Sequence, residues 1–241
     1  MTRRMRIIPI ILIANGRVVK TVNYKNPIYV GDPINTIKIF SDLEADEIIV
    51  IDILASKTNT HFDLKLLENL SRVCKVPLGV GGGISDSKFA REVVAIGAEK
   101  IVLNQLIRKN RTIVREIISI LGAQAVVGSI DFHSQLDRCI DYLSFKPDLN
   151  LNDKIKFYES LGLGEILINF VNLEGTKLGL NKELTSLYEI KSKLPLILNG
   201  GISSSQDLEQ CKNYKNFEAL GVGSFFIYAE NSRNVALHYE R

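Results

Sequence analysis

The strongest constraint on this chain is that it repeats itself. "VPLGVGGGISDSKFAREV" at 76–93 matches "LPLILNGGISSSQDLEQC" at 194–211, and "ADEIIVID" at 45–52 echoes "LGEILINF" at 163–170. Both pairs are offset by 118 residues, close to half of the 241. Self-similarity at a fixed offset is how a repeated supersecondary unit shows itself in sequence. A four-strand half closing on its own copy explains the offset, and predicts an α/β chain folded as a (β/α)8 TIM barrel built from two similar half-barrels.

The local pattern agrees. Short β-rich apolar runs alternate with longer segments of helical period, as repeated βα units around a parallel sheet require. Strands are expected near 7–13, 48–53, 78–81, 100–103, 125–131, 165–169, 196–199 and 219–222, which makes eight. "DPINTIKIFSDLEA", "FDLKLLENLSRVC", "SDSKFAREVVAIG" and "NRTIVREIISILG" read as helices that open on Asp, Asn or Ser caps and close near Gly or Pro. No linker-like or low-complexity stretch interrupts them, so residues 1–241 are expected to form one barrel domain.

Composition removes several function classes. Hydrophobic residues make up 46% and charged residues 24%, an ordinary globular balance with enough apolar side chains for a large core. The 30 basic and 27 acidic residues are interspersed outside "MTRRMR"; without a basic stripe interleaved with aromatics, no nucleic-acid partner is expected. No apolar run approaches the roughly 20 residues of a bilayer span, so no membrane association is expected either. Pro9 breaks the apolar segment after the basic start and no small-residue cleavage site follows, unlike a signal peptide. Cys74, Cys139 and Cys211 match no metal or redox spacing and read as small buried thiols. Their odd number points to a reducing compartment and a cytoplasmic location. His61, His133 and His238 form no metal-ligand pair and read as surface or loop residues, although His133 sits two residues past Asp131. Neither a metal nor a cofactor is expected.

In a parallel barrel the chemistry lies off the carboxyl ends of the strands. "IIPIILIANGRVVK" at 7–20 starts like a first barrel strand, yet offers Ile11, Leu12, Ile13 and Ala14 where an acid, base or nucleophile is expected. The acidic strand-end candidates are Asp52 and Asp131, either of which could do acid–base work or cap a following segment. Asp131 lies 119 residues beyond Leu12, so the duplication sets those two positions facing each other across the mouth. In each half a glycine cluster follows a strand: "GVGGGIS" at 79–85 and "LNGGISS" at 198–204. Such clusters let backbone N–H groups turn toward a phosphate, although each also reads as a plain tight turn. Two at matched positions, each followed one strand later by small or polar residues ("LNQ" at 103–105, "GVGS" at 221–224), point to two phosphate grips and a ligand with phosphate at both ends. At the opposite strand ends Arg6, Glu47, Lys100 and Glu165 supply two cations and two anions. Either they are unrelated surface charges or they converge as a ring of ion pairs at the barrel bottom; Glu47 and Glu165 are duplication mates, which favours the ring.

The segments "RIIP", "GRVVK", "GDP", "ADEIIVIDILAS", "VPLGVGGGIS", "GAEKIVLN", "GSIDF", "GEILI", "EGTKLG" and "NGGISS" together resemble HisF, the cyclase subunit of imidazole glycerol phosphate synthase, over nearly the whole chain. The resemblance implies a (β/α)8 barrel, a substrate with two phosphates, and a glutaminase partner that sends ammonia through the barrel from the bottom. Carried over by position, it makes Arg6, Glu47, Lys100 and Glu165 the ammonia gate and puts Lys20 on the mobile loop over the mouth. It assigns phosphate contacts to Gly82, Gly83 and Asn104 on one side, and to Gly175, Thr176, Gly200, Gly201 and Ser224 on the other. Asp131 falls on one of two catalytic aspartates; the other falls on Leu12.

Leu12 can neither accept nor donate a proton, so the resemblance brings an intact ammonia route together with half of an acid–base pair. Asn15 and Asn172 also stand where the family has Asp, and "CIDYLSFKPDLNLND" lacks its Thr-Gly segment after strand five. "VKTVNYKNPIYVGDP" resembles a subgroup of HisF paralogues of surface-polysaccharide pathways, in which ammonia serves the amidination of a sugar. Three functions therefore compete. The barrel conducts ammonia for a separate sugar amidotransferase; or it is a true histidine-pathway cyclase, a lyase in which another residue replaces the missing aspartate; or it is a non-catalytic, phosphate-sensing scaffold that activates the glutaminase. Leu12 disfavours the second and leaves open whether the barrel itself catalyses a reaction.

Overall fold

The computed structural model describes residues 4–141, 143–144, 146–179, 187, 189–229 and 234–240. Eleven strands are present among them: β1 (Arg6–Ala14), β2 (Arg17–Val22), β3 (Lys25–Gly31), β4 (Ile48–Asp52), β5 (Leu78–Gly81), β6 (Lys100–Leu103), β7 (Val126–His133), β8 (Arg138–Cys139), β9 (Glu165–Phe170), β10 (Leu196–Asn199) and β11 (Ala219–Val222). Eight of them, β1, β4, β5, β6, β7, β9, β10 and β11, pair in parallel, and β11 returns to β1 with Arg6 opposite Ala219 and Pro9 opposite Val222. The sheet is thus a closed barrel of eight parallel staves with helices between them, at the eight places the sequence predicts.

Alternation along each stave divides the apolar side chains into two cores. Ile8, Ile10 and Leu12 of β1 point inward with Ile49, Val127, Leu167 and Ile197, forming the barrel lumen. Ile7, Ile11 and Ile13 point outward into the layer between sheet and helices. The four helices expected from sequence lie at Pro33–Asp42, Leu64–Val73, Ser87–Ile96 and Arg111–Leu121. Asp32, Asp63, Asp86 and Asn110 cap them, each side chain accepting from a backbone N–H of the first turn and so satisfying a donor that the helix cannot.

The antiparallel additions were not anticipated. β2 folds back on β1 through Asn15–Gly16, with φ of 51° and 69°, the two-residue left-handed turn whose twist suits a hairpin. A second such turn, Asn23–Tyr24 with φ of 50° and 57°, leads into β3. In the second half β8 pairs antiparallel with β7 at the equivalent place. Both excursions leave the carboxyl end of a half's first stave, so they rise beside the mouth. No helix among the described residues is long and apolar enough to cross a membrane.

Candidate functional site

Three neighbouring staves bring one row of polar side chains to the mouth. Asp131 on β7 is in register with Asn169 on β9, and Asn169 with Asn199 on β10. In-register residues on adjacent strands share a face, so the three side chains meet and bond in one direction. Asn199 Nδ2 donates to Asn169 Oδ1 at 2.7 Å. Asn169 Nδ2 donates to Asp131 Oδ1 at 3.1 Å and to Ser129 Oγ at 2.8 Å. Asn104 Nδ2 completes the arrangement on Asp131 Oδ2 at 2.8 Å. Asp131 is only 7% exposed. Burial pushes its carboxyl above the usual carboxylate range, and the amide donors of Asn104 and Asn169 hold it back. Among the described residues no cation pairs with it; Arg108, whose charge acts on it without contact, is bonded to Asp148 and lies 3.8 Å from Asp141.

This row borders a cavity of about 120 Å³ that also meets Leu12, Gly82 and Gly83. Among the described residues its ionisable carboxylates are Asp52 and Asp131, and its lining contains no Lys or Arg. Asp52 Oδ1 accepts from Leu54 N at 2.8 Å and Ala55 N at 3.1 Å, so this strand-end acid holds the following turn.

A second, smaller cavity opens beside it, against Gly175, Gly200, Gly201 and Ser224. Ile10, Leu12, Tyr24 and Asn199 line both, so Leu12 belongs to the wall between them. The second cavity contains Lys20, expected on a mobile loop but found in β2 and 4% exposed. The reason is the hairpin, whose tip is clamped across the mouth. Glu174 accepts from Thr21 Oγ1 at 2.8 Å and from Tyr24 N at 2.9 Å, and its carbonyl oxygen accepts from Asn23 N at 2.9 Å. Gly175 makes the close approach feasible, since a Cβ there would lie 1.9 Å from Thr21 O. Lys20 Nζ donates to Ile10 O at 3.2 Å and has no carboxylate within ion-pair distance among the described residues. Burial pushes its ammonium down to about 8, with the charge of Glu174 opposing.

The two glycine turns have matching backbones. Gly82 and Gly83 have φ of 106° and 68°; their duplication mates Gly200 and Gly201 have 103° and 89°. The expectation of two equal phosphate grips nevertheless meets unequal surroundings: Lys20, Lys177 and Glu174 beside the second turn, and the two carboxylates Asp52 and Asp131 beside the first. Asn104, expected to contact phosphate, lines the first cavity and donates through Nδ2 to Asp131. Thr176 lines neither cavity; its hydroxyl donates to Leu173 O at 2.9 Å and shapes its own loop.

At the other end of the barrel the four charged side chains close into one ring. Arg6 Nη1 lies 2.5 Å from Glu47 Oε2, and the same guanidinium bonds Glu165. Lys100 Nζ completes the cycle at 2.8 Å from Glu47 Oε2 and 2.9 Å from Glu165 Oε2. Both acids are buried, at 2% and 5% exposure, and each is shared by both cations. Burial pushes the Glu47 carboxyl up, while Lys100 and Arg6 oppose the shift.

The remaining candidates lie outside the linings of both cavities. Asn15 occupies the hairpin turn, and Asn172 Oδ1 accepts from Ser134 N at 3.0 Å, holding the excursion after β7. That excursion is described apart from residues 142 and 145. His61 packs on Phe89 and His238 on Phe225, while His133 ends β7 with its Nδ1 buried and unbonded. Cys139 and Cys211 are buried, which pushes each thiol up to about 12. Among the described residues no group of three His, Cys, Asp or Glu side chains could hold a metal ion. Sequence reasoning missed Asn169, Asn199, Tyr24 and the clamp role of Glu174. The available signals were "NG" before an apolar run, a hairpin marker, and the alignment of Asn169 with the strand after Asp131.

Comparison with known proteins fits this geometry. The family described as histidine biosynthesis protein matches residues 6–232. The imidazole glycerol phosphate synthase subunit HisF of Lactococcus lactis is 33% identical over 230 residues, 93% of this chain and 89% of that protein. That of Clostridium botulinum is 30% identical over 230 residues, covering 93% and 91%. A protein of Leptospira interrogans provisionally named imidazole glycerol phosphate synthase subunit HisF is 33% identical over 239 residues, covering 97% and 94%. With the match running from the first stave to beyond the last, the chain belongs to the histidine biosynthesis protein family, as a HisF-like barrel.

Proposed function

We propose that this barrel is the ammonia-conducting subunit of a glutamine-dependent amidotransferase, with a HisH-like glutaminase at its bottom and a phosphorylated ligand at its mouth, and that it supplies ammonia for sugar amidination in surface-polysaccharide biosynthesis. The observation that carries the reading is the contrast between the two ends. The ring of Arg6, Glu47, Lys100 and Glu165 is complete, whereas the mouth has Leu12 where the cyclase reading needs a second carboxylate. Between them the lumen is lined by Ile8, Ile49, Val127, Leu167 and Ile197, a surface that favours neutral ammonia over any ion. In this reading the ring is the gate, and the second cavity is the anion site. Lys20 supplies the charge, and Gly200, Gly201 and Ser224 supply the turn whose N–H groups meet a phosphate.

A histidine-pathway cyclase is the second reading, and one observation favours it. Lys20 is buried beside Leu12 with its ammonium pushed down to about 8, a range suited to proton transfer near neutral pH. The deciding experiment supplies the unmodified chain with the histidine-pathway bisphosphate and ammonia, then with glutamine and the glutaminase. The expected result is glutamine turnover coupled to the barrel with only trace cyclase product. Robust cyclase turnover would overturn the proposal and assign the missing proton transfer to another residue.

A further inference from the structure

The two acids at the barrel bottom are held unequally. Glu165 takes Arg6 on one carboxylate oxygen and Lys100 on the other, whereas Glu47 takes both cations on Oε2, and its buried Oε1 has no partner among the described residues. The backbone beside them differs in the same way. Gly164 and Asp46 directly precede the two acids, and Val126 and Ile7 stand five residues before the facing positions Asp131 and Leu12, so both pairs are duplication mates. In the second half the β7–β9 ladder runs down to Val127 opposite Glu165, and Gly164 N donates straight to Val126 O at 3.1 Å. In the first half the β1–β4 ladder stops at Ile10 opposite Ile49, and a side chain enters the equivalent bond. Asp46 N donates to the Tyr239 hydroxyl at 3.1 Å, and that hydroxyl donates to Ile7 O at 3.1 Å, with Asp46 Oδ2 3.3 Å away. A phenolic oxygen both accepts and donates, so one group satisfies two backbone atoms that lack each other. Ile7 N is taken by Asp46 Oδ2 at 2.9 Å. The phenol itself packs on Phe226 at 5.2 Å between centroids, and His238 N donates to Phe226 O at 3.0 Å, which docks the segment that brings Tyr239 in.

We propose that Tyr239 is a positioning residue for the ion-pair ring, its hydroxyl a spacer set between β1 and β4 that fixes how far apart the strands hold Arg6 and Glu47. A direct N–H···O bond puts nitrogen and oxygen about 3 Å apart, and a hydroxyl bridging the two puts them about 5 Å apart. The ring is therefore wider on its Arg6–Glu47 side than the duplication alone would make it. Glu47, held through one oxygen, takes its place from this bridge, whereas Glu165 follows from a direct backbone bond. The consequence for ammonia rests on the conducting reading, in which this ring is the gate.

The test follows the Arg6 guanidinium N–H signals of the isotopically labelled chain by NMR. Tyr239→Phe keeps the packing on Phe226 and removes only the bridge. It should speed solvent exchange of the Arg6 guanidinium and of the Asp46 amide by roughly fivefold to tenfold, the effect of one or two lost hydrogen bonds, and leave the Gly164 amide unchanged. Tyr158→Phe removes a different buried hydroxyl, the one bonded to Ser129 O in the outer layer, and should leave Arg6 as it is. Arg6 exchange unchanged in Tyr239→Phe, or raised equally by Tyr158→Phe, would overturn the positioning role. Glutamine turnover of the chain with its glutaminase, measured separately, keeps the two claims apart, and Tyr239→Phe should lower it severalfold. A disturbed Arg6 with unchanged coupled turnover upholds the spacer and defeats the gate; lowered turnover with Arg6 undisturbed defeats the spacer alone.

Discussion

The turns at Gly82–Gly83 and Gly200–Gly201 are copies in backbone but differ in charged surroundings: two carboxylates beside the first, two lysines and one carboxylate beside the second. Their φ values agree because each turn is fixed by close contact: a Cβ on Gly82 would lie 2.5 Å from Asp52 O, and one on Gly200 2.9 Å from Phe170 O. What surrounds them comes from outside the repeated unit. Lys20 arrives on the excursion of the first half, the β1–β2 hairpin, which Glu174 clamps over the cavity of the second half. The first cavity keeps Asp52 and Asp131 and gains no cation among the described residues. Duplication thus preserves the turn, while the excursions after β1 and β7 decide what each turn can bind.

The sharpest way to break this contrast is to put a carboxylate into the wall both cavities share. Leu12→Asp restores the second acid–base group, and such groups contribute roughly 10²- to 10⁴-fold each, so cyclase product should rise from trace levels by up to that factor. The altered strand-five excursion will keep the rate below that of a full cyclase. No gain at all, in a variant shown to bind the bisphosphate, would mean that Leu12 is not the limiting difference.

Next in size is the contrast between mouth and bottom. Lys100→Leu leaves Arg6 alone to neutralise two buried acids; breaking a buried pair outright costs about 3–5 kcal/mol, and the remaining guanidinium and the cations' partial exposure place the loss at or below the low end. Glutaminase-coupled turnover should fall with it, and Lys100→Arg should restore much of both. Coupled turnover unchanged in Lys100→Leu would reduce the ring to a structural feature.

Lys20→Met tests the cationic cavity through stability. Folded Lys20 releases its proton near pH 8, whereas the unfolded chain keeps it to about 10.5, so between these values the unfolded state binds more protons and stability rises with pH. The contribution is present above about 10.5 and lost as pH falls through about 8. At pH 7 the variant should therefore be more stable by up to about 3 kcal/mol, with the gain gone near pH 11, while phosphate binding is lost. Denaturant midpoints at the two pH values check it. The smallest effect separates the turns themselves: Gly82→Ala and Gly200→Ala should each cost about 1–3 kcal/mol, Gly82 the more because its contact is tighter.

Much of this was legible in sequence, for identifiable reasons. Staves such as Arg6–Ala14 are short apolar runs set between segments of helical period, and helix caps such as Asp86 announce themselves by position. The ring was legible because Glu47 and Glu165 are mates at one offset. The burial of Lys20 was not, since "GRVVK" shows a strand only when "NG" before it is read as a hairpin rather than the end of a stave. The Asp131–Asn169–Asn199 row was not either. Two asparagines in apolar strands carry no pattern of their own, and become a site only through a register that joins residues 30 to 38 positions apart.

The most direct measurement is a crystal structure of the chain grown in saturating inorganic phosphate. The predicted result is phosphate against Gly200, Gly201, Ser224 and Lys20 Nζ, with none against Gly82 and Gly83 beside Asp52 and Asp131. Phosphate bound at both turns would contradict it, and would return the mouth to a symmetric bisphosphate site.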